Sequence, residues 1–560
     1  MFKRLLGVTS IFVTGMLGIL FAQVTFTEQT VSNSYVEPRV ASIADYNGDG
    51  LPDFSALSTR ETVEDNAGWW GNDGTPKDGT WTYTKIASSG FSSGRFLVSR
   101  DIDKDGDYDL LGGKIESSST TNIAWWENSD GNGGFSGFRN DIRTPGLSGG
   151  VDAADLDGDG DIDLIGGFYT ETAGDTGIVW YENDGSQNFT IHLIANIQYI
   201  THVGSWDIDG DGDNDIVASA GIISGTGGAV YLWRNDGGSP LTWTQITIDN
   251  ALDGAIWIFA KDVDQDKDMD ILAAASRANA IVWYENTGSG WNKTVVDGSF
   301  SGARAVHARD IDGDGDIDIA GAAETGNEIA WYENDGSQNF TKHSLSTAYT
   351  NARYVEANDV DGDGDPDILA VALGDPNASP AVDGFIRWWE NDAEDLKTIA
   401  DGDQAPVSFW NNTVTIDFSA GTAGDVSVYL DSEAPPRSDR LASGIDHLAP
   451  NKFYTLWTNK TGYTASVTFK YSVWGGVTNP ATLVIAWWNP GTAQWEIAGT
   501  GQSVNTADQT ITVSGVSQFG QFVLASTNAD NPLPILLSSF TATVDNQGVL
   551  LKWVTASEFN

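Results

Sequence analysis

Seven short stretches of this chain place aspartate at alternating positions, a spacing suited to wrapping peptide around a hard cation. Their side-chain oxygens come from Asp45, Asn47, Asp49 and Asp53; from Asp101, Asp103, Asp105 and Asp109; and from Asp155, Asp157, Asp159 and Asp163. The fourth and fifth sets are Asp207, Asp209, Asp211 and Asp215, and Asp262, Asp264, Asp266 and Asp270. The last two are Asp310, Asp312, Asp314 and Asp318, and Asp359, Asp361, Asp363 and Asp367. Each set fits D-x-[DN]-x-D-G-x-x-D, except that Lys267 replaces the glycine in the fifth. Carboxylates at positions one, three and five curl the chain, position seven (Asp316 in the sixth loop) offers a carbonyl, and position nine closes the shell. Glycine at six supplies the sharp turn. Six to eight oxygens in a flexible cage suit calcium; magnesium keeps more of its water.

One such loop could be a solvated acidic turn. Seven of them, with clustered carboxylates that repel without a cation, predict up to seven structural calcium ions. The Asp262–Asp270 site is expected to be the weakest. Lys267 brings positive charge to it and must hold a positive φ, at a cost of about 1 kcal/mol or more.

A second pattern is tied to the loops. Six residues before the first loop aspartate stand Arg39, Arg95, Arg304 and Arg353; the other three units have Gly149, Thr201 and Ile256 there. Guanidinium groups gathered on one rim would bind an anion, such as an acidic glycan or a partner carboxylate, with Tyr354 and Tyr35 beside them. The alternative is that each arginine pairs with an acid of the adjoining unit. His307, Asp152 and Glu356 also share one position, three residues before the loop. The choice there is between a carboxylate–His site and ordinary polar lining. Gly90-Phe91-Ser92-Ser93-Gly94 matches G-x-S-x-G but lacks the strand-turn-helix setting that motif needs. The five histidines show no zinc spacing, and His192 and His343 occupy equivalent positions, which points to a structural role.

The elements that must position these residues repeat every fifty residues or so. After each Asp loop comes a pair such as Trp125-Trp126, Trp180-Tyr181 or Trp388-Trp389, with asparagine two places on (Asn72, Asn128, Asn183, Asn235, Asn286, Asn334, Asn391). The aromatic pairs could stack on sugars, but strands covered on both faces bury successive residues, and that reading is preferred. In the third unit, strand B is read as Ile162 to Gly166, C as Ile178 to Glu182 and D as Phe189 to Ile194, with strand A before the loop. Four antiparallel strands repeated seven times predict an all-β chain built on a seven-bladed β-propeller, followed by a β-sandwich and an incomplete β module. The seventh unit lacks a clear strand D, so Val24 to Val31 is expected to complete it and close the ring. The four arginines would then lie on adjacent blades, on the face opposite the calcium loops.

These loops and strands resemble FG-GAP/VCBS repeats, the blades of the integrin α-chain propeller and of many secreted bacterial proteins, over roughly residues 24 to 392. The resemblance implies the fold and calcium. For function it implies a binding module, since that family binds proteins and glycans, and it also includes some lyases.

Composition bounds the rest. The formal charge of -49 disfavours nucleic acid and anionic lipid. Residues 1–23, with Lys3 and Arg4 before an apolar run to Phe21, read as a signal peptide, and no later stretch would span a membrane in the mature chain. The absence of cysteine leaves metal as the staple of a secreted chain. The expected domains are the propeller at 24–400, a β-sandwich at 404–527, a linker at 528–535 stiffened by Pro532 and Pro534, and at 536–560 the start of a fibronectin-III-like domain. That last resemblance is to modules preceding type IX secretion sorting tails. The expected protein is a secreted or cell-surface bacterial binding or adhesion module for an extracellular glycan or protein, and not an enzyme. The alternative is a calcium-dependent, lyase-like enzyme acting on polysaccharide.

Overall fold

The computed structural model describes residues 26–33, 35–59, 67–86, 93–115, 122–135, 139–142, 147–169, 177–221, 227–361, 365–375 and 384–391 of the repeat region. Between 397 and 555 it describes the strands given below and parts of their connections. Asp363, Ser92, the leader-like residues 1–23 and Val24 lie outside the described residues.

Seven four-stranded antiparallel sheets account for the repeats and resemble propeller blades. Numbered along the chain, their first strands (A) are Pro38–Ala44, Gly94–Arg100, Leu147–Ala154, Ile200–Trp206, Ala255–Lys261, Ala303–Arg309 and Ala352–Asn358. Every second strand (B) starts on the closing aspartate of its loop, as in Asp109–Lys114, Asp270–Ala275 and Asp318–Ala323. Loop position nine is therefore the first residue of a ladder. In the third sheet the remaining strands are Asp163–Tyr169, Ile178–Asn183 and Phe189–Ala195. The seventh sheet takes Phe26–Ser32 as its outer strand, paired with Phe385–Asn391 so that Phe26 faces Asn391 and Gln29 faces Trp388.

The sequence of each strand explains its place. The B strands are mostly small and apolar, as in Asp-Ile-Leu-Ala-Ala-Ala, and are buried throughout, apart from Tyr169 at the end of the third sheet's, because sheets pack against both faces. The paired aromatics of the third strands are buried as well, Trp126, Trp233 and Trp388 almost completely. They serve as core and are not available for stacking on a sugar. Outer strands such as Phe189–Ala195 have no fully buried residue. Each A strand contacts the A strand of the next sheet, and Pro38–Ala44 contacts Ala352–Asn358.

Beyond the repeats two further sheets share one core. One contains Lys397–Ile399, Gly424–Asp431, Phe453–Thr458, Gly520–Ser526, Leu483–Asn489 and Gln494–Ile497 in spatial order, with His447–Leu448 also paired to Gly520–Ser526. The other contains Val407–Phe409, Val414–Ala420, Thr464–Lys470, Thr510–Val516 and Gly501–Asn505. Ile416, Val467 and Ile511 from one sheet and Leu456, Ile485 and Val523 from the other lie in a single buried cluster. Leu537–Asp545 and Gly548–Thr555 form a two-stranded hairpin.

Candidate metal loops and the arginine face

The Asp loops fold alike. The amide of position six donates to the first aspartate in six of them: Gly50 to Asp45 (2.8 Å), Gly106 to Asp101 (2.9 Å), Gly160 to Asp155 (3.0 Å), Gly212 to Asp207 (3.1 Å), Lys267 to Asp262 (3.0 Å) and Gly315 to Asp310 (3.0 Å). Lys267 reaches this bond at φ 86°, close to the 91–100° of the glycines it replaces. The fifth loop thus keeps the common path and carries the backbone strain expected of it.

Carboxylate oxygens from positions one, three and nine lie within 4.8 Å of one another in at least five loops, for example Asp101, Asp103 and Asp109, or Asp310, Asp312 and Asp318. Position five is not in these groups. Its oxygen accepts the amide of position seven, as between Asp314 and Asp316 (2.9 Å), which holds the turn. Burial, reinforced by neighbouring aspartates, pushes the closing carboxyls upward, Asp53 and Asp109 to about 8 and Asp163, Asp215 and Asp270 to about 7. Buried Oδ1 atoms of Asp262 and Asp310 have no hydrogen-bond partner. Crowded, desolvated and partly unpartnered hard oxygens fit a divalent cation such as calcium.

The closing aspartate does a second job that its spacing did not disclose. One oxygen accepts the amide of loop position two and the other the amide of the third-strand asparagine. Asp318 takes Ile311 and Asn334 (both 2.8 Å), Asp215 takes Ile208 (2.9 Å) and Asn235 (2.7 Å), and Asp367 takes Val360 and Asn391 (both 2.8 Å). The asparagine side chain then crosses to the preceding sheet. Asn128 donates to the Tyr46 carbonyl (2.8 Å), Asn235 to Leu156 (2.7 Å), Asn286 to Ile208 (3.3 Å) and Asn391 to Ile311 (2.5 Å). Asn72 of the first sheet reaches Val360 of the seventh (3.1 Å). In the third and sixth sheets Asn183 and Asn334 bond their own loops instead. The recurrence of asparagine after every aromatic pair was the visible signal; its partner one sheet away was not.

The arginine positions coincide with a backbone feature. In each A strand the second or third residue is the extra residue of a β-bulge. Pro38 and Val40 pair with Ser58 and Leu57 and skip Arg39; the same break falls at Arg95, Gly149, Thr201, Ile256, Arg304 and Arg353. Bulges re-aim a side chain out of the ladder. The four arginines come together. Arg353 lies 2.6 Å and Arg304 3.4 Å from the same Glu324 oxygen, and Arg39 feels the charges of Arg304, Arg95 and Arg353. Burial first, then mutual repulsion, lowers Arg353 to about 9 and Arg95 to about 10. Pairing with an acid of the adjoining unit thus holds for Arg353, whose partner Glu324 follows the second strand of the sixth sheet; Arg304 shares that acid from its own sheet, and Arg39 and Arg95 make no ion pair among the described residues. Tyr35 and Tyr354 are not on this rim. Tyr35 packs edge-on against Trp70 (4.9 Å) in the core, and the Tyr354 hydroxyl donates to Glu356 (2.8 Å).

Tyr354 belongs to the layer just below the bulges. There His202 stacks on Trp257 (3.9 Å), Trp257 meets Tyr354 (5.5 Å) and Phe96 approaches His202 (6.2 Å). Burial holds His202 neutral, lowered to about 3. Beyond this layer is a cavity of about 210 Å³ among the A strands, lined by Asp152, His307 and Glu356 but by none of the four arginines. The buried Nδ1 of His202, which also lines it, has no hydrogen-bond partner, whereas the carboxylates and His307 are engaged. Asp152 accepts from Arg100 (3.1 Å) and the Ser205 amide (2.9 Å), and His307 Nδ1 accepts the Ala357 amide (3.3 Å). His192 and His343 match as expected, each stacked on a tryptophan at 4.6 Å and 2.7 Å from a glutamate.

A family model described as an FG-GAP-like repeat matches residues 101–166, 207–273, 262–321 and 310–370, so the chain carries at least these four FG-GAP-like repeats. No curated protein matches the sequence significantly. Solved structures similar to the chain include an Agrocybe aegerita lectin studied for recognition of non-reducing terminal N-acetylglucosamine (19% identity, 56% of this chain and 82% of that one, TM-score 0.39). Virginiamycin B lyase from Staphylococcus aureus is another (12% identity, 66% and 99%, TM-score 0.42). A third is AofleA from Arthrobotrys oligospora (12% identity, 58% and 90%, TM-score 0.33).

Proposed function

We propose that this protein is a calcium-stabilised, closed seven-bladed propeller that serves outside the cell as a binding or adhesion module for a glycan or protein. The observation that carries the reading is the common path of the Asp loops, with carboxylates from positions one, three and nine converging in at least five of them. Closure is supported by the pairing of Phe26–Ser32 with the seventh sheet and by the Asn72 bond to Val360. The two-sheet unit beyond the repeats acts as a second module, and the hairpin at 537–555 begins a third. Export rests on the leader-like residues 1–23 and on the lack of cysteine, for which metal substitutes. At ten times Kd each occupied loop would add about 1.4 kcal/mol. The fifth loop has Lys267, and in the seventh Lys77 already sits 2.8 Å from Asp361, so these two compete least well for a cation.

Thermal melting of the full chain in excess calcium and in chelator, with metal counting, tests the scaffold. A large fall in Tm on chelation with five to seven ions bound supports it. Insensitivity to chelator with few ions would sink it. Glycan and protein arrays in calcium then test binding.

The second reading, a lyase-like enzyme, draws on the cavity. There burial raises Glu356 to about 7, beside Tyr354, within reach of a proton-transfer role near neutral pH. Turnover of a polyuronate would establish it over the binding module.

A further inference from the structure

We propose that the four bulge arginines form an oxyanion site, and that its ligand is a saccharide carrying one or two carboxylate or sulfate groups. This rests on the reading of the protein as a binding module but not on calcium occupancy. Four guanidinium groups, Arg304, Arg353, Arg39 and Arg95, come from consecutive sheets six, seven, one and two, and Glu324 is the carboxylate that pairs with two of them. Arg39 and Arg95 make no ion pair among the described residues, and the buried Nε atoms of Arg95 and Arg353 have no hydrogen-bond partner. Arg353 has a side chain only 11% exposed. Among the described residues the cluster carries a net excess of positive charge, desolvated and self-repelling in a chain of charge -49, and such an excess is costly unless something negative completes it.

The other bulge residues define the rest of the ligand. At Gly149 a Cβ would lie 1.9 Å from the Ile200 carbonyl, so no longer side chain fits in the third sheet. Thr201 is tied to the Ser219 and Ala255 carbonyls (3.1 and 2.9 Å), and Ile256 is apolar. At this same level Tyr169 and Tyr199, half-exposed with ring centroids 5.3 Å apart, continue the arc from Arg95. A cationic arc running into an aromatic pair suits a sugar ring that has both an apolar C–H face and an anionic substituent. The stacked layer of His202, Trp257 and Tyr354 directly follows the bulge residues Thr201, Ile256 and Arg353, which favours a ligand that presents an end group or side group over one that threads through. The acidic surface elsewhere repels a polyanion, which restricts the ligand to few charges and the attraction to about one Debye length, near 8 Å at physiological salt.

Calorimetry on the full chain in calcium would compare digalacturonate, a sulfated disaccharide, neutral digalactose, inorganic sulfate and a diglutamate peptide. The proposal expects binding by at least one charged saccharide, at least tenfold tighter than neutral sugar, sulfate or peptide. R39Q/R95Q should lose about tenfold or more in that affinity while its ligand-free Tm stays the same or rises, because neither arginine makes an ion pair among the described residues. E324Q should tighten binding. Peptide binding without saccharide binding overturns the sugar assignment. Binding of inorganic sulfate alone does the same. No binding of any anion, or a double variant that loses stability and keeps affinity, overturns the site. The calcium-dependence of Tm is read separately, so its failure and the site's are distinguishable.

Discussion

At the scale of single residues, the two ends of each Asp loop differ in what they do. Position three offers an oxygen to the carboxylate cluster and caps a turn, whereas position nine also anchors two backbone amides in every loop. Asp312→Asn gives this loop the position-three residue of the first, Asn47, so it should weaken calcium binding there and leave the Tm in chelator nearly unchanged. Asp318→Asn can accept through one oxygen only, so it should cost about 1–3 kcal/mol in chelator as well. Denaturant melts with metal counting separate the two. At position six of the fifth loop, Lys267→Gly relieves a side chain held at φ 86° and should stabilise the chelated protein by about 1 kcal/mol while raising calcium occupancy. The clustering of carboxylates was legible in the sequence because the alternating positions act within nine residues. The anchoring role of Asp318 was not, since Asn334 joins it only when the third strand folds back beside the second.

At the scale of elements, the strands were legible where their chemistry is local. The third unit's C and D strands were expected at Ile178 to Glu182 and Phe189 to Ile194, and the observed strands contain both. The bulge in each first strand was invisible, because neither Arg39 nor Ile256 has a residue type that demands one; it exists only in the pairing with the second strand. Spacing from the loop still located all seven bulge positions, since the stretch from bulge to loop has one length in every sheet. The gathering of four arginines around Glu324 depends on contacts between sheets and could be posed only as one of two alternatives. The outer strand of the seventh sheet gives the test at this scale. Deleting residues 24–33 should expose the edge Phe385–Asn391, lower Tm even in calcium, and promote self-association on size-exclusion chromatography. An unchanged, monomeric product would mean that Phe26–Ser32 adds nothing to the sheet.

For the whole molecule the buried loop carboxyls make stability depend on pH, and calcium bound at the proposed sites would change the sign. Without the ion, burial raises the closing carboxyls from 3.8 to about 7 or 8, so the folded chain holds protons that the unfolded chain has released. A group with a raised folded value contributes stability that is fully present below 3.8 and declines as pH rises through the folded value. The chelated protein should then melt higher at pH 5 than at pH 8, helped by partial relief of the -49 charge. Calcium at the proposed sites would reverse the order by competing with those protons. As pH falls, the carboxylates must be stripped of hydrogen before they can bind the ion, so the calcium increment shrinks. Melting curves across this range, with and without chelator, should converge at low pH and separate progressively toward pH 8. A constant gap would mean that the ion binds somewhere other than these buried aspartates. A gap that widens with pH and shrinks with Asp312→Asn ties the stability of the ring to the loops themselves.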